Sequence, residues 1–251
     1  MTDAPLTIKL GGSIGEPGPA LGALIAEAPA TTVLVHGGGN EVAAWSARLG
    51  LTPRFHDGLR VTDPATLEVA VGVLAGLVST RLVAALRTVG RPAAGLTGAD
   101  GRLLTVRRRE AALGEVGEVV EADAGIIDAL LAAGVLPVVS PIGADEAGDI
   151  LNINADEAAG AIAAARGGRL ILCTDVAGVQ RSGVTLETLD AVGAQAMLDE
   201  GSATAGMRPK LRAAILAART GCEVVIVDGR SADAVRAAIA GSLVGTRVVA
   251  A

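Results

Sequence analysis

Thr7–Ser13 reads TIKLGGS and Val33–Glu41 reads VLVHGGGNE, and these two stretches decide the fold. Each is a short apolar run that stops at a cluster of glycines, with a segment of helical length after it. Continuously apolar runs of this length suit strands buried on both faces, as in a parallel sheet. The rhythm persists along the chain. Strand-like runs fall at Leu6–Leu10, Thr32–His36, Ala93–Thr97, Leu136–Ser140, Arg169–Thr174 and Glu223–Asp228. Helical segments are expected over Pro19–Ala28, Asn40–Leu49, Ala65–Val89, Ala124–Ala133, Asp156–Arg166, Pro209–Thr220 and Ser231–Ala240. Strands alternating with helices predict an α/β fold of βαβ units, its sheet covered on both faces. Pro53–Asp63 (PRFHDGLRVTD) and Arg102–Asp123 break the rhythm and read as β-hairpins, the first with an Asp-Gly turn. A soft boundary falls at Gly167–Gly168.

Composition narrows the function. Hydrophobic residues make up 51% of the 251, so a large core is available, while aromatic residues make up only 1%. Stacking of bases on rings is therefore out of reach, and the net charge of -6 also argues against nucleic-acid binding. Cys173 and Cys222 sit in apolar runs and read as small buried hydrophobes. The chain shows neither a basic-then-apolar leader nor an uninterrupted apolar span of membrane length, so a soluble, cytoplasmic protein is expected. Among 21 basic residues only Lys9 and Lys210 are lysines. An ammonium is a compact point charge that a planar guanidinium does not imitate, so both positions are candidates for function.

Ligands of open α/β sheets bind where strands end and helices begin. Three such junctions stand out: Lys9 before Gly11 and Gly12, His36 before Gly37–Gly39, and Asp175 with Gly178 in TDVAGV. Glycines let backbone N–H groups approach an anion closely, so an anionic ligand such as phosphate is expected. Neither a P-loop nor a dinucleotide fingerprint is present. GGSIG and HGGG imitate hydrolase motifs, but their order along the chain is wrong for that class. Arg107–Arg109 reads as an exposed hairpin face, and His36 and His56 as structural.

IKLGGS, VHGGGNEV, GLRVTD, ILNINADEAAGAIA, LILCTDVAGV and GMRPKLRAA, in this order, resemble the motifs of the amino acid kinase superfamily. More narrowly they resemble its acetylglutamate kinase family, from about Leu6 to the terminal GTRVV. The resemblance implies a three-layer αβα sandwich around a mostly parallel sheet, in two closely joined lobes. Residues 1–167 would bind the amino acid and dimerise, and residues 168–251 would bind the nucleotide. It implies ATP-dependent phosphorylation of the side-chain carboxylate of N-acetyl-L-glutamate, a step of arginine synthesis. Lys9 and Lys210 would flank the transferring phosphoryl group, with Asp156 holding both. Gly11 and Gly12 would face the phosphates. Gly38, Gly39, Arg60, Asn152 and Asn154 would hold the substrate, Arg60 by its α-carboxylate. Asp175, Val176, Ala177, Gly178 and Val179 would line the nucleotide pocket, together with Ser202, Ala203 and Thr204. Mg2+ is expected to ride on the nucleotide phosphates, since no carboxylate cluster offers a dedicated metal site.

The chemistry is consistent with these roles. A side-chain carboxylate, with a free pKa of about 4.3, is ionised at neutral pH and needs no general base. It does need charge neutralisation, which two lysines supply. The rival readings are a sister kinase of another, carrier-linked carboxylate and a non-catalytic ligand sensor of the same fold. Arginine-inhibited relatives carry a helix before the first strand, and Met1–Pro5 is too short for it. The resemblance therefore implies a homodimer that does not respond to arginine.

Overall fold

In a computed structural model, which describes residues 4–11, 25, 28–56 and 59–250, the six apolar runs form strands over the residues that the pattern marks. The chain begins with β1 (Leu6–Leu10), β2 (Thr32–His36), α1 (Gly39–Arg48) and the hairpin β3 (Arg54–His56) and β4 (Leu59–Val61). There follow the long helix α2 (Pro64–Thr88), β5 (Ala93–Thr97), the hairpin β6 (Leu104–Arg108) and β7 (Gly117–Ala122), and α3 (Gly125–Ala132). Next come β8 (Leu136–Ser140), β9 (Ile142–Ala144), β10 (Ile150–Asn152), α4 (Ala155–Arg166) and β11 (Arg169–Thr174). The chain ends with β12 (Gln180–Arg181), β13 (Val184–Thr185), β14 (Thr188–Asp190), α5 (Ala191–Asp199), α6 (Arg208–Arg219), β15 (Glu223–Asp228), α7 (Ala232–Ile239) and β16 (Thr246–Val249). Gly12, the Asp57–Gly58 turn and the helix expected over Pro19–Ala28, apart from Ile25 and Ala28, lie outside the described residues.

The central sheet has eight strands in the order β14-β16-β15-β11-β1-β2-β8-β5. All neighbours are parallel except β15 and β16. β1 lies in the middle, pairing with β2 on one side and β11 on the other. Strand order reverses there, which makes the carboxyl end of β1 the natural ligand crevice. A four-stranded sheet, β10-β9-β6-β7, stands beside it.

Side-chain alternation sorts the core into two layers. Leu6, Ile8, Leu10, Leu34 and Ile171 join Leu82 and Leu86 of α2 and Val235 of α7 on one face. Val33, Val35, Leu170 and Leu172 meet the alanine-rich α4 and α6 on the other. With few aromatics to fill space, the helices must come close, and they do. An ideal Cβ on Gly160 of α4 would lie 2.9 Å from the backbone oxygen of Ala213 in α6.

Several elements depart from the expectation. α5, β9, β10, β12, β13, β14 and β16 were not marked by the pattern. α5 is short and rich in small residues, and it is started by Asp190, whose side chain accepts the Gly193 N–H at 2.6 Å. α2 departs in another way. Over its most apolar 18-residue window its mean hydropathy is 2.0, so by length and composition it is long and apolar enough to cross a membrane, against the expectation. Here it packs on β5 and on α1, with Leu82 and Leu86 buried in the core, and its middle, Gly72–Val78, is π-helical.

The Gly160–Ala213 contact generates a test. Ala gains about 1 kcal/mol over Gly in helix propensity, while overpacking costs about 1–3 kcal/mol. The steric term is expected to win for Gly160→Ala, which lowers the Tm by a few degrees and reduces turnover as α6 shifts. A Tm at or above that of the wild type in calorimetry would mean that the helices have slack.

Candidate active site

Strand alternation turns Lys9 toward the face that α4 covers, opposite Ile8 and Leu10. There it meets Asp156 in the first turn of α4. Asn154 caps that helix, its Oδ1 accepting the N–H groups of Asp156 at 2.9 Å and Glu157 at 3.2 Å. Lys210 enters from the first turn of α6, brought up by the close α4–α6 packing. Lys9 Nζ lies 2.7 Å from Asp156 Oδ1, and Lys210 Nζ 3.4 Å from Asp156 Oδ2. Lys210 also donates to Gly206 O at 3.1 Å. The side chains of Lys9, Asp156 and Lys210 are only 5%, 6% and 13% exposed. Burial alone would raise the Asp156 carboxyl, but the ammonium groups of Lys9 and Lys210 outweigh it and hold it below the usual range. Two cations around one anion leave a net positive charge, suited to an anionic ligand.

A cavity of about 230 Å³ opens beside this triad. Gly37, Gly38 and Gly39 form one wall. Gly38 has φ 153°, and a Cβ there would lie 2.6 Å from Leu74 Cδ2, so only glycine fits. Gly38 and Gly39 open α1, and no side chain among the described residues caps that helix, which leaves backbone donors at its N-terminus for a ligand. His36 beneath them is buried, its Nδ1 2.7 Å from Gly37 O. Burial pushes its pKa down, partly opposed by that contact, so it is neutral near pH 7.

Arg60, on β4, also lines the cavity, against the glycine wall. Its Nη2 donates to Gly39 O at 2.8 Å, and its buried Nη1 has no hydrogen-bond partner among the described residues. Asn152 closes the end of β10, donating through Nδ2 to Thr62 Oγ1 at 3.1 Å. Lys9, Gly38, Gly39, Arg60, Asn152, Asn154 and Asp156 thus line one cavity. Lys210 joins them through Asp156.

The residues expected at the nucleotide lie at neighbouring strand ends. Gly11 follows β1 directly, half-buried. Asp175, Val176 and Ala177 follow β11 with their surfaces at least partly open. Gly178 and Val179 are buried instead. The Val179 N–H donates to Thr246 Oγ1 at 2.8 Å, and these two residues shape the loop from beneath. Ser202, Ala203 and Thr204 turn the chain between α5 and α6, with Ala203 buried and the other two exposed. Among the described residues no group of three His, Cys, Asp or Glu side chains could hold a metal ion.

Sequence reasoning missed several supports. Thr62 is fully buried and orients Asn152, while its hydroxyl donates to Arg60 O at 3.1 Å. Arg107–Arg109 is not uniformly an exposed face. Arg107 is open and pairs with Glu118, but Arg109 is 22% exposed and donates to Glu157 Oε2 at 2.6 Å. Glu157 Oε1 accepts the Val119 N–H at 2.8 Å, so the β6–β7 hairpin braces the turn that carries Asp156. Cys173 and Cys222 are buried as expected, and burial pushes the Cys173 thiol up to about 12, which leaves it inert.

Known proteins share this arrangement. The amino acid kinase family matches residues 6–228. Acetylglutamate kinase of Methanopyrus kandleri is 44% identical over 232 residues, 88% of this chain and 93% of that protein. The crystal structure of smu.665 from Streptococcus mutans aligns with a TM-score of 0.83 and 27% identity over 99% of both chains. N-acetylglutamate synthase from Neisseria gonorrhoeae, solved with coenzyme A and N-acetyl-glutamate, aligns with a TM-score of 0.80 and 25% identity, over 98% of this chain and 59% of that one. From β1 to β15, the span that carries the buried triad and its cavity, this chain belongs to the amino acid kinase family.

Proposed function

We propose that this protein transfers the terminal phosphoryl group of ATP to the side-chain carboxylate of N-acetyl-L-glutamate, forming an acyl phosphate for arginine biosynthesis. The observation that carries this reading is the buried Lys9–Asp156–Lys210 triad beside a cavity that Lys9, Asp156 and Arg60 line together. Arg60 takes the substrate α-carboxylate, a geometry that suits a guanidinium. Asn152 hydrogen-bonds the acetamido group, with Asn154 beside it, and the backbone of Gly38 and Gly39 receives the reacting carboxylate. Lys9 and Lys210 neutralise charge on the phosphoryl group in flight, from two sides, and Asp156 keeps both in position. No residue need act as a base, because the nucleophile is already ionised.

Gly11, Gly12, the Asp175–Val179 loop and the Ser202–Thr204 turn hold the nucleotide. The cavity lining falls wholly within residues 1–167, and Lys210 and the β11 loop fall within 168–251, which supports a substrate lobe followed by a nucleotide lobe. Mg2+ would be held mainly by the nucleotide phosphates, where it would supply further charge neutralisation. The enzyme works in the cytoplasm as a homodimer. Supporting this, β5 is an edge of the central sheet among the described residues, and Leu67, Ala75 and Leu77 of the neighbouring α2 keep part of their apolar surface open.

Assay of ADP release, with the acyl phosphate trapped as a hydroxamate, is expected to show turnover with free N-acetyl-L-glutamate and little with carrier-linked substrates. In the same assay, Lys9→Arg or Lys210→Arg lowers turnover by about two to three orders of magnitude, the scale for losing one well-aimed donor. Near-normal turnover in either variant would remove that lysine from the mechanism.

Turnover at saturating substrates should be flat between about pH 6 and 8. The lowered Asp156 keeps its ion pairs complete above about pH 4, and they are lost only as acid carries the pH through that depressed value. A bell-shaped profile centred near neutrality would require the base that this mechanism lacks. Light scattering is expected to give twice the 24.7 kDa chain mass, and a monomer mass would refute the dimer.

A further inference from the structure

Phe55 is the chain's only phenylalanine, and it sits where a phenylalanine is out of place. It lies on β3 and is 61% exposed, one of the large apolar side chains that the described residues leave open. Pairing of β3 with β4 sets Phe55 directly opposite Arg60, so the two side chains share one face of the hairpin. The Arg60 guanidinium carbon lies 4.9 Å from the centre of the Phe55 ring, and both residues line the cavity.

The consequences follow from the arginine's own geometry. A free arginine side chain samples many rotamers, and immobilising it opposes binding. Here one edge is held by Gly39 O through Nη2 and one face by the ring, while Nη1 stays buried without a partner among the described residues. Burial also lowers the Arg60 pKa, a sign that the guanidinium is partly stripped of water and so attracted more strongly by the ring. We propose that Phe55 is a positioning residue that holds Arg60 by cation–π stacking, so that its free donors are aimed at the substrate α-carboxylate before the substrate arrives. This rests on the proposed acetylglutamate chemistry and adds to it the device that sets substrate affinity.

Because Arg60 grips a carboxylate that does not react, the stack acts on substrate binding and not on the chemical step. Phe55→Leu, which keeps apolar bulk without a π face, is expected to raise KM for N-acetyl-L-glutamate about 3- to 10-fold, the range for a half-buried cation–π contact. Phe55→Tyr keeps the ring and should remain within about twofold of the wild type. KM for ATP, kcat and the mass by light scattering should not change in either variant. In an Arg60→Ala background, Phe55→Leu should add nothing, because no guanidinium is left to hold. An unchanged KM in Phe55→Leu, equal losses in the Leu and Tyr variants, or an undiminished loss without Arg60 would overturn the inference. Calorimetric binding of N-acetyl-L-glutamate separates this outcome from failure of the functional reading. Wild-type protein that binds the compound without turning it over sinks the reaction but leaves the variant series readable as affinities, and protein that neither binds nor reacts sinks both.

Discussion

Two ammonium groups cannot occupy the floor of one cavity without a negative charge between them, and Asp156 supplies it. Desolvating three charges is costly, and a buried ion pair is poor evidence for stability. The arrangement persists because the rest of the molecule enforces it. The register of β1 turns Lys9 inward, Asn154 caps the helix that presents Asp156, and the Arg109–Glu157 pair ties that helix start to the β6–β7 hairpin. The contact of Gly160 with Ala213 sets how near Lys210 can come. A core of Ala, Val, Leu and Ile makes this possible, since larger side chains between α4 and α6 would hold the two helix starts apart.

The two halves of the proposed site rest on different kinds of structure. The triad stands on buried strands and packed helices, where a shift of a few tenths of an ångström meets resistance from many neighbours. Arg60 and Phe55 stand on a hairpin that pairs with no other strand among the described residues, with the Arg60–Phe55 stack and the bond to Gly39 O across it. Charge stabilisation of the transferring group demands fixed donors, and on the recognition side the hold of Gly39 O and the Phe55 ring on Arg60 serves the same end.

Much of this was legible in the residues, for physical reasons. The six predicted strands have their expected ends; five are continuously apolar because they are buried on both faces, and glycines stop β1 and β2 where the ligand crevice begins. Lys9, Asp156 and Lys210 were legible from the scarcity of lysine and from the motif resemblance. What escaped depends on contacts distant in sequence. Arg109 reads as one of three like charges, and Glu157, 48 residues on, draws it inward. Thr62 reads as part of a strand, and its hold on Asn152 spans 90 residues. α5 escaped because alanine and glycine give a weak apolar period. The pairing of Phe55 with Arg60 is implied by the Asp-Gly turn between them, but the stack itself needs the register.

Arginine and lysine are divided in this chain by the geometry each site needs. The arginines bind where a flat fork is useful. Arg166 reaches the carbonyls of Leu6 and Thr31, Arg169 grips the last carbonyls of α7, and Arg230 clasps Asp228 through both oxygens. A guanidinium set against Asp156 would do the same, taking both carboxylate oxygens in one bidentate pair. No oxygen would then remain for a second cation, and the fork would be turned toward the aspartate and away from the cavity. An ammonium takes one oxygen and keeps donors free. With Lys9 on Oδ1 and Lys210 on Oδ2, one carboxylate holds two positive charges and neutralises only one, so the surplus charge faces the cavity into which an anion must enter.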